Sequence, residues 1–122
     1  MKTIDRSKII LATKVAGYSP NLKYMPGRNG CGTKLTKEQI KISIHESLQR
    51  LGIDYIDLLQ LHWPERYVPL FGQNSYDLKL ERSSDDVVSF NEQLLALNDL
   101  IQDGEFVDII IIIIIYYLNL II

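Results

Sequence analysis

The run Asp54-Tyr55-Ile56-Asp57-Leu58-Leu59-Gln60-Leu61-His62-Trp63-Pro64 is the stretch from which the fold is read. From Ile53 to His62 the apolar residues Ile53, Ile56, Leu58, Leu59 and Leu61 come too densely for clean in-out alternation, which is how a strand buried in a parallel sheet reads. Trp63 and Pro64 end it. Just before it, Gly52 stops a helix: Thr36 and Gln39 form a capping-box pair, and Ile40, Ile44, Leu48 and Leu51 recur at helical spacing.

Further upstream, Gly17 to Lys34 collects Pro20, Pro26, Gly27, Gly30 and Gly32 and reads as a long loop. Before it, Lys8 to Val15 carries Ile9, Ile10, Leu11 and Val15, the pattern of a strand covered on both faces. Downstream, Arg66 to Asp86 has no sustained period and reads as a second long loop. Ser89 and Glu92 then make another capping-box pair, with Phe90, Leu94, Leu97 and Ile101 along one helical face and Gly104 just past the end. Strand, loop, helix, repeated, is the order of parallel βαβ units, because each helix returns the chain to start the next strand in the same direction. The fold class is α/β.

Ile109 to Ile115 is an unbroken isoleucine run, followed by Tyr116, Tyr117, Leu118, Asn119, Leu120, Ile121 and Ile122. It falls short of the roughly 20 apolar residues that a bilayer core needs and has no basic anchor. Every residue type in it can be written with codons of A and T alone, as translated AT-rich non-coding DNA would be, which puts a loss of frame near Glu105 to Asp108. The expected organisation is a folded part over 1–104 and an Ile-rich low-complexity tail over 105–122.

A hydrophobic content of 47% and a charged content of 23% fit one soluble globular domain. The formal charge of -2 provides no basic field, so no nucleic acid and no anionic membrane surface is expected as partner. Cys31 is the sole cysteine, which excludes an intrachain disulfide and favours the cytoplasm; no signal peptide is read in Met1 to Val15. No metal site is read.

Two motifs carry a resemblance. Ala12-Thr13-Lys14-Val15 and the run from Asp54 to Pro64 are similar to consecutive strand motifs of aldo-keto reductases, and Glu65 to Gly72, with Arg66 and Phe71-Gly72, resembles the bacterial and plant branch with an HWP-x-R loop. The resemblance covers about Lys8 to Gly104. It implies a partial (β/α)8 TIM barrel of about two and a half to three βα units. It further implies an NADP-dependent reduction of an aldehyde or ketone, in which Lys14 and His62 match two members of a catalytic Asp, Tyr, Lys and His tetrad. The aspartate and tyrosine lie on earlier strands in the family, and most of the cofactor site on later ones, starting with a Gly-x-Ser-Asn motif soon after the position of Gly104. The chain is therefore expected to be inactive alone and to self-associate.

The chemistry of the two matched residues follows from general principles. Both stand at the C-terminal ends of strands, the catalytic face of such a barrel. A tyrosine acid has an ordinary pKa of about 10, which an ammonium within roughly 4 to 6 Å lowers toward neutrality; the resemblance gives that role to Lys14. His62 would orient the substrate carbonyl and Trp63 form part of the substrate wall. Taken without the resemblance, Lys14 reads as a solvated strand-end lysine and His62 as a satisfied core histidine. His45 reads as a surface residue, Cys31 as an ordinary thiol, and Asp85-Asp86 as a favourable charge ahead of a helix N-terminus. Two other functions compete: a strand-pairing or regulatory fragment, through open sheet edges, and a tail-anchored membrane protein.

Overall fold

The computed structural model describes residues 5–25, 30–70, 72–104 and, as a strand backbone, 106–109. Its elements are β1 (Ala12–Val15), α1 (Lys37–Leu51), β2 (Ile56–Leu61), α2 (Phe90–Gln102) and β3 (Phe106–Ile109). The three strands form one parallel sheet in the order β1-β2-β3. This is the α/β arrangement expected, two complete βα units and a third strand. The tail as drawn from 105 includes β3, whose partner is β2; the rest of the isoleucine run, from 110, lies outside the described residues.

Both strands are shorter than their apolar runs. Asp5 caps a 3-10 turn over Arg6–Lys8, so the chain extends only afterwards, and Ile10 is left 82% exposed. At the other strand Ile53 packs at the end of α1 rather than in the sheet. The expectation of strands covered on both faces is also corrected. Thr13 and Val15 face α1, with Thr13 Oγ1 3.5 Å from Ser47 Oγ, while Ala12 and Lys14 on the alternate face are exposed. Only one face of this sheet has helices packed on it among the described residues.

The covered face holds the core, in which Ile40, Ile44, Ile56, Leu59 and Leu100 are essentially inaccessible. Each such aliphatic side chain contributes about 1.5 to 3 kcal/mol through removal from water. At the lower ends of the strands the Asp57 carboxylate accepts from Leu11 N at 2.8 Å and from Arg6 Nη2 at 2.6 Å. Arg6 in turn lies 4.3 Å over the Tyr55 ring.

Helix α1 starts where expected: Thr36 Oγ1 accepts from Gln39 N at 3.2 Å, and Gly52 closes the helix in the left-handed conformation at φ 64°. Ser89 Oγ does the same for α2, accepting from Glu92 N at 3.1 Å. The reciprocal half of each capping box goes elsewhere. Gln39 Oε1 accepts from Lys34 N at 2.8 Å, and Glu92 Oε1 accepts from Lys37 N at 3.2 Å, which ties the start of α2 to the start of α1. The buried face of α2 is Gln93, Ala96, Leu97 and Leu100; of the expected Phe90, Leu94, Leu97 and Ile101, only Leu97 lies on it. Ala96 allows close approach to the core, and Gln93 is admitted because its Nε2 donates to Val88 O at 2.9 Å.

Candidate functional site

Lys14 is the third residue of β1 and pairs in register with Gln60 of β2. His62 follows β2 directly and continues the ladder, its amide donating to Val15 O at 2.8 Å. It stands two residues beyond Gln60, so the pleat puts it on the same face as Lys14, the one opposite the helices. The sequence-predicted pair is thus brought together at the C-terminal ends of neighbouring strands.

The electrostatics agree with that placement. His62 is exposed, and partial desolvation of its ring, then the positive charge of Lys14, hold its pKa below the usual histidine value of 6.5. The ring is therefore neutral at pH 7, with one nitrogen to donate and one to accept. Trp63 is 6% exposed; its ring centroid is 4.8 Å from that of His62 at a 46° tilt, and its Nε1 donates to Tyr18 O at 2.8 Å.

The segments leaving the two strands lie against each other. A Cβ on Gly17 would stand 2.0 Å from Trp63 O and 2.6 Å from Pro64 O, so only glycine permits this contact. Tyr18 N donates to Pro64 O at 3.4 Å, and Thr33 Oγ1 donates to Gly17 O at 2.6 Å. Above them a cavity of about 520 Å³ opens between the two long loops, bordered by Tyr18, Asn21, Tyr67, Leu70, Gln73 and Leu80.

Sequence reasoning missed the polar centre beneath these loops. Glu65, 3% exposed, accepts from Leu35 N at 2.6 Å ahead of α1 and pairs with Arg82 at 2.7 Å. The only hint was a glutamate directly after the strand end; Arg82, in a stretch without period, gave none. Arg66, in the quoted loop motif, is exposed and donates only to Tyr67 O at 3.3 Å among the contacts described. His45 is exposed on α1, as expected, with Nδ1 3.3 Å from Lys41 O. Asp85 and Asp86 sit in a turn short of the α2 cap at Ser89, so they belong to the loop rather than to the first turn of the helix. Cys31 is exposed.

Among the described residues, no group of three or more His, Cys, Asp or Glu side chains is placed to hold a metal ion, and no helix is long and apolar enough to cross a membrane.

Comparison with known proteins gives the family. The chain is 40% identical over 103 residues to an aldo-keto reductase of Babesia bovis, a match covering 81% of this chain and 35% of that protein. It is 36% identical over 104 residues to norsolorinic acid reductase B of Aspergillus parasiticus, covering 83% of this chain and 21% of that one. The holo form of the aldo-keto reductase AKR11C1 from Bacillus halodurans superposes with a TM-score of 0.53 at 31% identity, over 85% of this chain and 26% of that structure. The chain thus spans about a third or less of the length of these relatives. Residues 2–109 match the model of the aldo/keto reductase family, and the chain belongs to this family.

Proposed function

We propose that Lys14 and His62 form the carbonyl-facing half of an aldehyde- or ketone-reducing site, with Trp63 as the wall behind the imidazole. The observation that carries this reading is the shared face and position of the two side chains at the ends of β1 and β2, close enough for the Lys14 charge to act on His62. When hydride reaches a carbonyl carbon, negative charge grows on the oxygen. A neutral His62 donates a hydrogen bond to that oxygen, and the Lys14 ammonium favours the ionised form of an adjacent proton donor; both effects are largest in the transition state.

Family members use a nicotinamide dinucleotide, and NADP is the proposed one. The described residues do not fit its phosphates. Helix N-termini can receive such groups, yet here Gln39 N and Lys37 N at the start of α1 are taken by Thr36 and Glu92, and Glu92 N at the start of α2 by Ser89. No step is therefore routed through the cofactor, and the segment is expected to need further barrel strands for activity. A cytoplasmic setting suits this chemistry and the single cysteine.

The test is a chimera in which residues 2–109 replace the matching segment of the Babesia bovis relative, assayed by NADPH oxidation with a reactive aldehyde. Lys14→Met and His62→Ala should each lower kcat/KM by roughly 10²-fold or more, with NADPH binding nearly intact for Lys14→Met. His45→Ala should change neither. Near-full turnover by Lys14→Met combined with loss of activity in His45→Ala would overturn the assignment.

A further inference from the structure

The connection between β2 and α2 sends Arg82 back onto the ends of both strands. Its Nη1 donates to the Glu65 carboxylate and to the Glu65 main-chain carbonyl, each at 2.7 Å, and Nη2 donates to Asp86 O. Its guanidinium lies 3.7 Å over the Tyr18 ring. Tyr18 belongs to the segment leaving β1 and Glu65 to the one leaving β2, so a single side chain grips both. The pair is deep, with Arg82 9% and Glu65 2% exposed. At such burial the desolvation of two charges offsets much of their attraction, so stability alone explains the pair poorly. A planar fork stacked on an aromatic face supplies instead a fixed geometry, which lysine would not reproduce.

Trp63 connects this staple to His62. It lies between Glu65 and the imidazole in the chain, its indole is tied to the Tyr18 carbonyl, and its ring is tilted against His62. We propose that Arg82 is a positioning residue for His62: by holding Tyr18 and Glu65 together it fixes Trp63, and through Trp63 the imidazole, at the end of β2. Its bearing on carbonyl reduction rests on the function proposed above; the positioning itself does not.

Trp63 is the chain's only tryptophan, and a protonated imidazole quenches an adjacent indole. Selectively excited Trp63 fluorescence of the full 122-residue chain, followed against pH, therefore titrates His62, and His62→Gln should abolish the step. Among the described residues, the charged group whose field reaches the ring is Lys14. Removing Arg82 alone would also leave the buried Glu65 carboxylate without its partner. The deciding variant is thus the double Glu65→Gln, Arg82→Met, which takes away both charges while the amide oxygen that replaces the carboxylate still accepts from Leu35 N.

His62 is exposed and Trp63 packs against its ring, so loosening Trp63 hydrates the imidazole further. The midpoint of the double variant should move up toward 6.5 from its lowered wild-type position, with red-shifted emission and easier quenching by acrylamide. A double variant with wild-type circular dichroism and an unchanged midpoint would overturn the proposal. So would loss of helical signal in both Arg82→Gln and the double variant, since Arg82 would then hold the fold rather than the ring. A shifted midpoint alongside a chimera indifferent to Lys14→Met and His62→Ala would refute the catalytic reading and leave the positioning standing.

Discussion

His62 shows how far a single residue could be read from sequence. The resemblance of the two strand motifs marked it together with Lys14; from the residues alone they read as a satisfied core histidine and a solvated lysine. Glu65 and Arg82 were not legible, since their pairing spans a loop with no period, and Gly17 looked like any loop glycine although a backbone contact requires it. The lowered His62 pKa makes a prediction about stability. Below about 6.5 the unfolded chain binds the proton more readily than the folded one, so this contribution is whole above that pH and is lost as pH falls through the lowered value. Asp57, whose pKa is lowered by its bond from the Leu11 amide and then by Arg6, has the same sign in a separate, more acidic window, its contribution present above 3.8. Urea midpoints measured at intervals from pH 7.5 to about 5 should therefore decline on acidification, in the window set by the histidine value. His62→Gln should flatten that decline; an equal slope in the variant would show that the ring is not the titrating group.

At the scale of elements, sequence located β1, β2 and both helices, did not read β3, and missed extents and faces where tertiary contacts decide. The Asp5 cap shortens β1 from its N-terminal side. In α2 the apolar arc is wide enough to admit two phases, and packing selects the one in which small Ala96 approaches the core, leaving Phe90 58% and Leu95 53% exposed. The choice of phase is testable with two leucines three residues apart. Leu97 is 2% exposed and Leu94 39%. Leu97→Ala should cost about 2 to 5 kcal/mol by leaving a cavity, while Leu94→Ala should cost well under that, in the range of about 1 kcal/mol or less. Chemical denaturation monitored by circular dichroism would compare them. Equal losses would mean that the arc through Phe90, Leu94 and Ile101 is packed in solution.

For the whole molecule the governing fact is a three-stranded parallel sheet with helices on one face, and β1 and β3 at its two edges among the described residues. Parallel sheets are ordinarily covered on both faces, and unpaired strand edges invite pairing with other chains. The sequence beyond Ile109 adds an uncharged, proline-free run of high β-propensity, the composition of an aggregation-prone segment. The full chain should therefore sediment as oligomers at micromolar concentration. Two shortened forms separate the causes. A chain ending at Ile109 keeps β3 and drops the apolar run, so it should be more soluble and still unfold cooperatively in urea. A chain ending at Gly104, the boundary suggested by composition, also loses β3 and bares the second edge of β2, including Leu58 and Leu59, which pair with β3. It should unfold less cooperatively than the Ile109 form. If the Gly104 form proved the better behaved of the two, β3 would be no part of the folding unit and the compositional boundary would be the physical one. A full-length chain that stays monomeric with a sharp urea transition would instead show that neither the open edges nor the apolar run drives association.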